Sequence, residues 1–263
     1  MSTTPIDLHF DVRGDGPPLL VLHGLYGAGT NWRRHVGWMR ERWRVYTPDL
    51  RNHGRSPHAR PMDYDAIAAD LVALLDAEGH DRAAVVGHSM GGKAAMTLAL
   101  RHPQRVHALV VADIAPVGYG NHGHGNVIRA MRELDLAAIQ SRREADAALA
   151  GTIPEKAVRQ FLLTNLERRD GGWGWRIPLD ILAEALPDIE GFPDIEAKWP
   201  GPAFFIHGAR SDYVDEGGRR AALRLFPEAR FESIPQTGHF LHVEAPDAFG
   251  EAVSAFLDSQ FPA

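Results

Sequence analysis

The chain has 263 residues, of which 44% are hydrophobic and 24% are charged, and its formal net charge at pH 7 is −6. This composition is ordinary for a folded globular protein, and the negative charge without a run of lysine or arginine argues against a nucleic-acid partner. The absence of cysteine excludes disulfides, a thiolate metal site and a cysteine nucleophile. The first residues lack the apolar segment of a signal peptide, and no apolar run is long enough to span a bilayer. We therefore expect no membrane partner and a cytoplasmic location.

From residue 18 to residue 113, short apolar runs alternate with segments of helical periodicity. The predicted strands are LLVLHG (19–24), RVYTPDL (44–50), AAVVGHS (83–89) and VHALVVADIAP (106–116). The predicted helices are YDAIAADLVALLDAEG (64–79) and KAAMTLALRHP (93–103). The apolar runs are too continuous for burial on one face only, which predicts a mostly parallel sheet with helices on both faces.

The pattern changes after Pro116. Residues 118–197 are predicted to form helices and loops, with a Gly/Trp-rich turn at 170–179 and no convincing strand. Strand patterns return at PAFFIHG (202–208) and ARFESIP (229–235), with helices at 215–226 and 246–258. We therefore expect an α/β core domain, residues 1–116 and 199–263, that is interrupted by a helical cap, residues 117–198.

The stretch GHSMGGKA (87–94) fits two motifs with different chemistry. As G-x-S-x-G it is a nucleophile elbow, a strained strand-to-helix turn that presents Ser89 to a substrate carbonyl. As G-x-x-x-x-G-K it approaches a phosphate-binding loop, which requires a serine or threonine after the lysine to bind Mg²⁺. That position is Ala94, so the sequence favours the elbow.

A serine nucleophile requires a general base and donors for the oxyanion. His239, in IPQTGHF after the last predicted strand, is the candidate base, and the glycine before it favours it over His242. The candidate oxyanion donors are the backbone N–H groups of Met90, which follows the nucleophile, and of Leu25, in the loop HGLYG after an early strand.

The elbow, together with the stretch D113-I-A-P, resembles the α/β-hydrolases over essentially the whole length of the chain, and most closely the YbfF-type esterases. The resemblance implies hydrolysis of small to medium acyl esters or thioesters by a Ser-His-Asp triad, without a cofactor or metal. A serine at the elbow argues against haloalkane dehalogenases and epoxide hydrolases, which use aspartate there. Carbon–carbon bond hydrolases, lactonases, cofactor-free perhydrolases and low-turnover ligand receptors stay open, because they share the triad. The loop DLRNHGRS (49–56) is typical of the superfamily, with an expected structural role.

The acid of the triad has two candidates. Many α/β-hydrolases place it in a G-x-x-D loop after the penultimate strand, but here the third residue after Gly208 is Ser211, and Asp212 comes one residue late. The resemblance to YbfF-type esterases offers Asp113 instead, at the end of the strand that follows the nucleophile helix. We favour Asp113 and keep Asp212 as the alternative.

Four further patterns have ordinary structural interpretations. GYGNHG (118–123) matches G-x-G-x-x-G, but no second strand follows it, so it is interpreted as the entrance to the cap. His122 and His124 lack paired carboxylates nearby and are not expected to bind a metal. His88 is expected to point away from Ser89 and to be buried. Trp173, Trp175 and Ile177 alternate, as expected for a cap packed onto the core or for the wall of an acyl pocket.

Overall fold

The computed structural model describes residues 4–120 and 123–261. Its strands are β1 (Phe10–Arg13), β2 (Pro18–Leu22), β3 (Arg44–Pro48), β4 (Ala83–His88), β5 (Val106–Ala112), β6 (Leu166–Arg169), β7 (Gly172–Trp175), β8 (Ala203–Gly208) and β9 (Arg230–Ile234). Its α-helices are α1 (Arg33–Met39), α2 (Tyr64–Ala77), α3 (Met90–Arg101), α4 (His124–Glu133), α5 (Arg142–Leu149), α6 (Lys156–Leu162), α7 (Leu179–Glu184), α8 (Leu186–Glu190), α9 (Glu216–Leu225), α10 (Leu241–Glu244) and α11 (Pro246–Gln260). All strands and helices predicted outside residues 117–198 are confirmed.

Seven strands form one sheet in the order β1-β3-β2-β4-β5-β8-β9. Only β1, an edge strand that the sequence patterns did not predict, runs antiparallel to its neighbour, and the other neighbouring pairs are parallel. The carboxyl ends of parallel strands meet at one edge of a sheet. The segments that follow β2, β4, β5, β8 and β9 therefore converge there.

Helices cover both faces of this sheet, as the continuous apolar runs predicted. In β2, Leu20 and Leu22 belong to one buried cluster with the side chains of α2 and α3. Leu19 and Val21 belong to a second cluster with those of α1 and α11. The side chains of a strand alternate between faces, so a strand buried on both faces must be apolar at every position. The predicted fold class is confirmed.

The segment between β5 and β8 contains α4 to α8 and also a β-hairpin, so the prediction that it lacks strands was wrong. β6 and β7 pair antiparallel, with Leu166 opposite Trp175. Gly171 (φ +100°), in the turn, and Gly172 (φ +139°), the first residue of β7, adopt backbone conformations that favour glycine. The Trp175 Nε1–H donates to the main-chain oxygen of Met131 at 2.9 Å and attaches the hairpin to α4. Within the described residues, none of the helices has the length and apolar character needed to cross a membrane.

A buried ion pair fixes the 49–56 loop against α2. The Arg51 guanidinium donates to both carboxylate oxygens of Asp70 at 2.7 Å, neither side chain is exposed, and Asp70 also accepts from the Ile6 N–H at 2.8 Å. Removing one member of a buried pair leaves an unpaired charge, so we expect Asp70→Ala to lower the free energy of unfolding by about 3–5 kcal/mol. Asp65→Ala, also on α2, removes an exposed partner of Arg101 and should cost at most about 1 kcal/mol. Urea denaturation of both variants measures the difference, and equal losses would contradict the expectation.

Candidate active site

Ser89 lies in the turn between β4 and α3, with a φ of 54° that non-glycine residues rarely adopt. A Cβ atom on Gly87 would lie 2.2 Å from the main-chain oxygen of Gly91, and one on Gly91 would lie 2.5 Å from that of Leu22. Only glycine therefore permits this close approach of α3 to β4 and β2. The Ser89 N–H donates to the main-chain oxygen of Ala112 at 3.0 Å, which connects the turn to β5.

The loop after β2, which carries Leu25, is shaped by the 49–56 loop. The His23 Nε2 accepts from the Leu50 N–H at 3.0 Å, and the His53 Nε2 accepts from the Tyr26 N–H at 3.1 Å. Both imidazoles thus carry their hydrogen on Nδ1, next to a main-chain oxygen. The supporting role expected for residues 49–56 is confirmed by these contacts.

Asp113 follows β5 and contacts His239. The His239 Nδ1–H donates to the Asp113 Oδ2 at 2.7 Å, and the Asp113 side chain has no exposed surface. The Gly208 N–H donates to the Asp113 Oδ1 at 2.8 Å, and the Ser211 hydroxyl donates to the Oδ2. All three partners donate, which is the arrangement that a carboxylate anion requires.

Ser211 is a residue of the site that the sequence reasoning did not assign. It occupies the third position after Gly208, where the G-x-x-D pattern places the acid, and its hydroxyl contacts Asp113 instead. Asp212, the alternative acid, is exposed to solvent. The sequence shows a serine where the G-x-x-D pattern has an aspartate. Only the structure shows that this serine contacts Asp113 at the end of the neighbouring strand β5.

His239 is held on two sides. The His88 Nε2–H donates to the main-chain oxygen of His239 at 2.8 Å, and the burial predicted for His88 is confirmed. The ring of Tyr213 stacks on the imidazole of His239, with 4.0 Å between centroids and 23° between planes. The Tyr119 hydroxyl donates to the main-chain oxygen of Tyr213 at 2.5 Å. These contacts leave the imidazole little freedom to turn away from Asp113.

Ser89 and His239 line one cavity of about 800 Å³. The inserted segment contributes an apolar wall of half-buried and buried side chains, among them Val127, Ile153, Val158 and Phe161. Among the described residues, Trp173, Trp175 and Ile177 are not in this lining. Ile177 is buried, and the Arg142 and Arg168 guanidinium groups lie over the ring of Trp173, which favours the packing interpretation for this triplet.

Lys93 is buried and bonded within the fold, unlike a phosphate-binding lysine. Its ammonium donates to the main-chain oxygens of Glu190 at 2.7 Å and Gly191 at 2.5 Å, and burial lowers its pKa to about 7. These contacts connect α3 to the end of α8. No cluster of three potential metal ligands occurs in residues 4–120 and 123–261, and His122 lies outside these ranges.

Several imidazoles around the site are buried and neutral. Burial lowers the pKa of His23 to about 4 and that of His53 and His242 to about 3, and it holds the pKa of His88 well below 6.5. The ring of His242, the rival base, stacks on Trp32 with 4.8 Å between centroids. Asp113 contacts His239 and not this ring.

These low pKa values predict a protein that loses stability in mild acid. In the unfolded chain these imidazoles bind a proton below about pH 6.5, whereas in the folded protein they stay neutral down to about pH 4 for His23 and pH 3 for His53. The folded state is therefore fully stable with respect to these groups above pH 6.5, and it loses stability as the pH falls from 6.5 towards these values. Each of His23, His53 and His242 should lower the free energy of unfolding by about 2 kcal/mol between pH 7 and pH 5. Urea denaturation at both values measures this loss. The loss should be smaller in His242→Phe, and a stability independent of pH would contradict the expectation.

Comparison with known proteins agrees with this architecture. A family model described as "alpha/beta hydrolase fold" matches residues 17–246. The chain is 41% identical over 263 residues to the sn-1-specific diacylglycerol lipase ABHD11 of Mus musculus, covering 96% of this chain and 86% of that protein. It is 38% identical over 241 residues to Esterase YbfF of Escherichia coli (strain K12), covering 92% and 93% of the two chains. Among solved structures, one described as "Marine microorganism esterase" is 36% identical and has a TM-score of 0.92. The match covers 95% of this chain and 99% of that structure.

The parallel sheet, the serine turn and these matches together define an α/β-hydrolase. The chain belongs to that family, and the resemblance to YbfF-type esterases predicted from the sequence is confirmed. Within the family it is a carboxylic ester hydrolase, with relatives named esterase and lipase.

Proposed function

We propose that this protein is a carboxylesterase or thioesterase whose nucleophile is Ser89, with His239 as general base and Asp113 as the acid that orients it. The contact between His239 Nδ1 and Asp113 Oδ2 at 2.7 Å carries the proposal, since it leaves the Nε2 of the same ring for the cavity that Ser89 lines. An imidazole whose Nδ1–H donates to a carboxylate has the tautomer that accepts a proton at Nε2.

In the first half of the reaction, the Ser89 hydroxyl attacks the carbonyl carbon of the ester while His239 takes its proton. The oxyanion that forms accepts hydrogen bonds from the backbone N–H groups of Leu25 and Met90, two residues that line a small cleft together with Ser89. The tetrahedral intermediate collapses to an acyl-serine, the bond from the carbonyl carbon to the leaving oxygen or sulfur breaks, and His239 donates its proton to the leaving group.

In the second half, water replaces the alcohol or thiol. His239 takes a proton from the water, the hydroxide attacks the acyl-serine, and the carboxylic acid is released as Ser89 recovers its proton. This sequence uses only side chains and backbone groups of the chain together with water. Asp113, with its three donors, stabilises the imidazolium in both halves.

We further propose residues 117–198 as a cap on a core of residues 1–116 and 199–263. The support is the cavity wall, because α4 and α6 contribute Val127, Val158 and Phe161 to the space above Ser89. A cap of this kind selects the substrate by its apolar surface. The cytoplasmic location expected from the sequence stays a prediction.

The proposal is tested by intact-mass measurement after incubation with a fluorophosphonate probe, followed by peptide mapping. We expect one adduct, located on Ser89, and none on Ser89→Ala. Failure of the wild-type protein to react, in a preparation that is folded, would overturn the assignment of an activated serine. Burst kinetics with an activated ester separates an esterase from a ligand receptor, since a receptor stalls after one acyl-enzyme.

A further inference from the structure

Two spaces of very different size meet at Ser89. One is the cavity of about 800 Å³, and the other is a cleft of about 30 Å³. Leu25 and Ser89 line both. An ester bound at Ser89 therefore has one substituent in the large cavity and the other in the small cleft.

The positions of the catalytic groups decide which substituent goes where. His239 and its neighbour Phe240 line the large cavity, whereas Met90 and Ile114 line the small cleft. Because the leaving group receives its proton from the imidazole, it departs on the side of His239. The acyl group, whose carbonyl oxygen faces the Met90 N–H, then extends into the small cleft.

The cleft has room for very little. Its volume of about 30 Å³ is only two to three times the ~10–15 Å³ that a cavity needs to hold one water molecule. Tyr64, Lys93 and Ile189 in its wall are buried, and hydrogen bonds hold this part of the wall together. The Tyr64 hydroxyl donates to the main-chain oxygen of Ile189 at 2.6 Å, and the Lys93 ammonium donates to that of Glu190 at 2.7 Å. These bonds join α2 and α3 to the end of α8 and oppose widening of the cleft.

We infer that the substrate combines a short acyl group, of acetyl or propionyl size, with a bulky apolar alcohol or thiol. This inference rests on the proposed function, since it places the acyl group from the roles of His239 and Met90. The apolar wall formed by Val127, Val158 and Phe161 accommodates the leaving group. Hydrolysis consumes one water and breaks the bond between the carbonyl carbon and the leaving oxygen or sulfur. The short carboxylic acid receives the OH of the water, and the free alcohol or thiol receives the other proton.

Two isomeric esters test the inference on the wild-type protein. Octyl acetate and ethyl octanoate contain the same atoms and differ only in which side of the ester carries the long chain. We expect kcat/KM to be higher for octyl acetate by about tenfold or more, because the octanoyl chain does not fit the cleft. Equal values, or a preference for ethyl octanoate, would overturn the inference. Hydrolysis of neither ester, with no probe adduct on Ser89, would instead overturn the proposed function.

A pair of matched variants tests the cleft itself. Ile189→Ala removes a side chain from the cleft wall, and Val158→Ala removes one from the large cavity. We expect Ile189→Ala to raise the kcat/KM ratio of octyl butyrate to octyl acetate several-fold, and Val158→Ala to leave that ratio unchanged while it alters KM for long-chain alcohol esters. An unchanged ratio in a folded Ile189→Ala variant, or an equal rise in Val158→Ala, would contradict the assignment of the cleft. If Ile189→Ala does not fold, the comparison of octyl acetate with ethyl octanoate on the wild-type protein tests the inference.

Discussion

Replacement of Ser89 by alanine is expected to lower kcat for ester hydrolysis by about 10⁶-fold, the loss found when the serine of a Ser-His-Asp triad is removed. The reason is that the acyl-enzyme route is lost, while the backbone donors and the cavity remain. Alanine keeps the Cβ atom in the strained turn, and the Ser89 side chain does not cap α3, so stability should change by less than about 1 kcal/mol.

Initial rates with octyl acetate and thermal melting of the same preparation measure these two quantities together. Ser254→Ala, on α11 and outside the lining of the cavity, serves as the matched control and should keep full activity. A Ser89→Ala variant that retains more than about a hundredth of the wild-type rate would show that another group carries the reaction.

Replacement of Asp113 by asparagine is expected to lower kcat by about 10⁴-fold, because an amide nitrogen in the place of the Oδ2 favours the wrong imidazole tautomer. The same nitrogen would face two donors, the Ser211 hydroxyl and the His239 Nδ1–H. Misplaced donors in a fully buried position should also cost about 1–3 kcal/mol of stability. Kinetics are therefore compared at a temperature well below the melting point of the variant.

Asp212→Asn distinguishes the two candidate acids. Its side chain is exposed, and it should change kcat by less than about threefold. If Asp212→Asn proved the more damaging substitution, the arrangement around Asp113 would have to be structural rather than catalytic.

The sequence patterns predicted the core well because its elements obey local rules. The apolar runs of β2, β4, β5 and β8 are continuous, as burial on both faces demands, and Gly79 ends α2 with a φ of +72°. The inserted segment was predicted less well. The hairpin of β6 and β7 is short, and each strand has only four residues, so the alternation that marks a strand hardly repeats.

By itself, the sequence determined the family, the serine turn and the order of the candidate catalytic residues along the chain. These features depend on spacing within a few residues: the glycines at 87 and 91 permit the close approach that places Ser89, and the glycine before His239 follows the last strand. Such information is local, because steric exclusion acts between neighbouring residues.

Only the tertiary structure decided which acid meets His239 and how large the spaces beside Ser89 are. Asp113 and His239 are separated by 126 positions, and their contact depends on the order of β5, β8 and β9 in the sheet. The cleft of about 30 Å³ lies beside α8, which Tyr64 and Lys93 hold in place, whereas the cavity of about 800 Å³ lies against α4 and α6. Distances between remote side chains follow from packing, and no local pattern of residues records them.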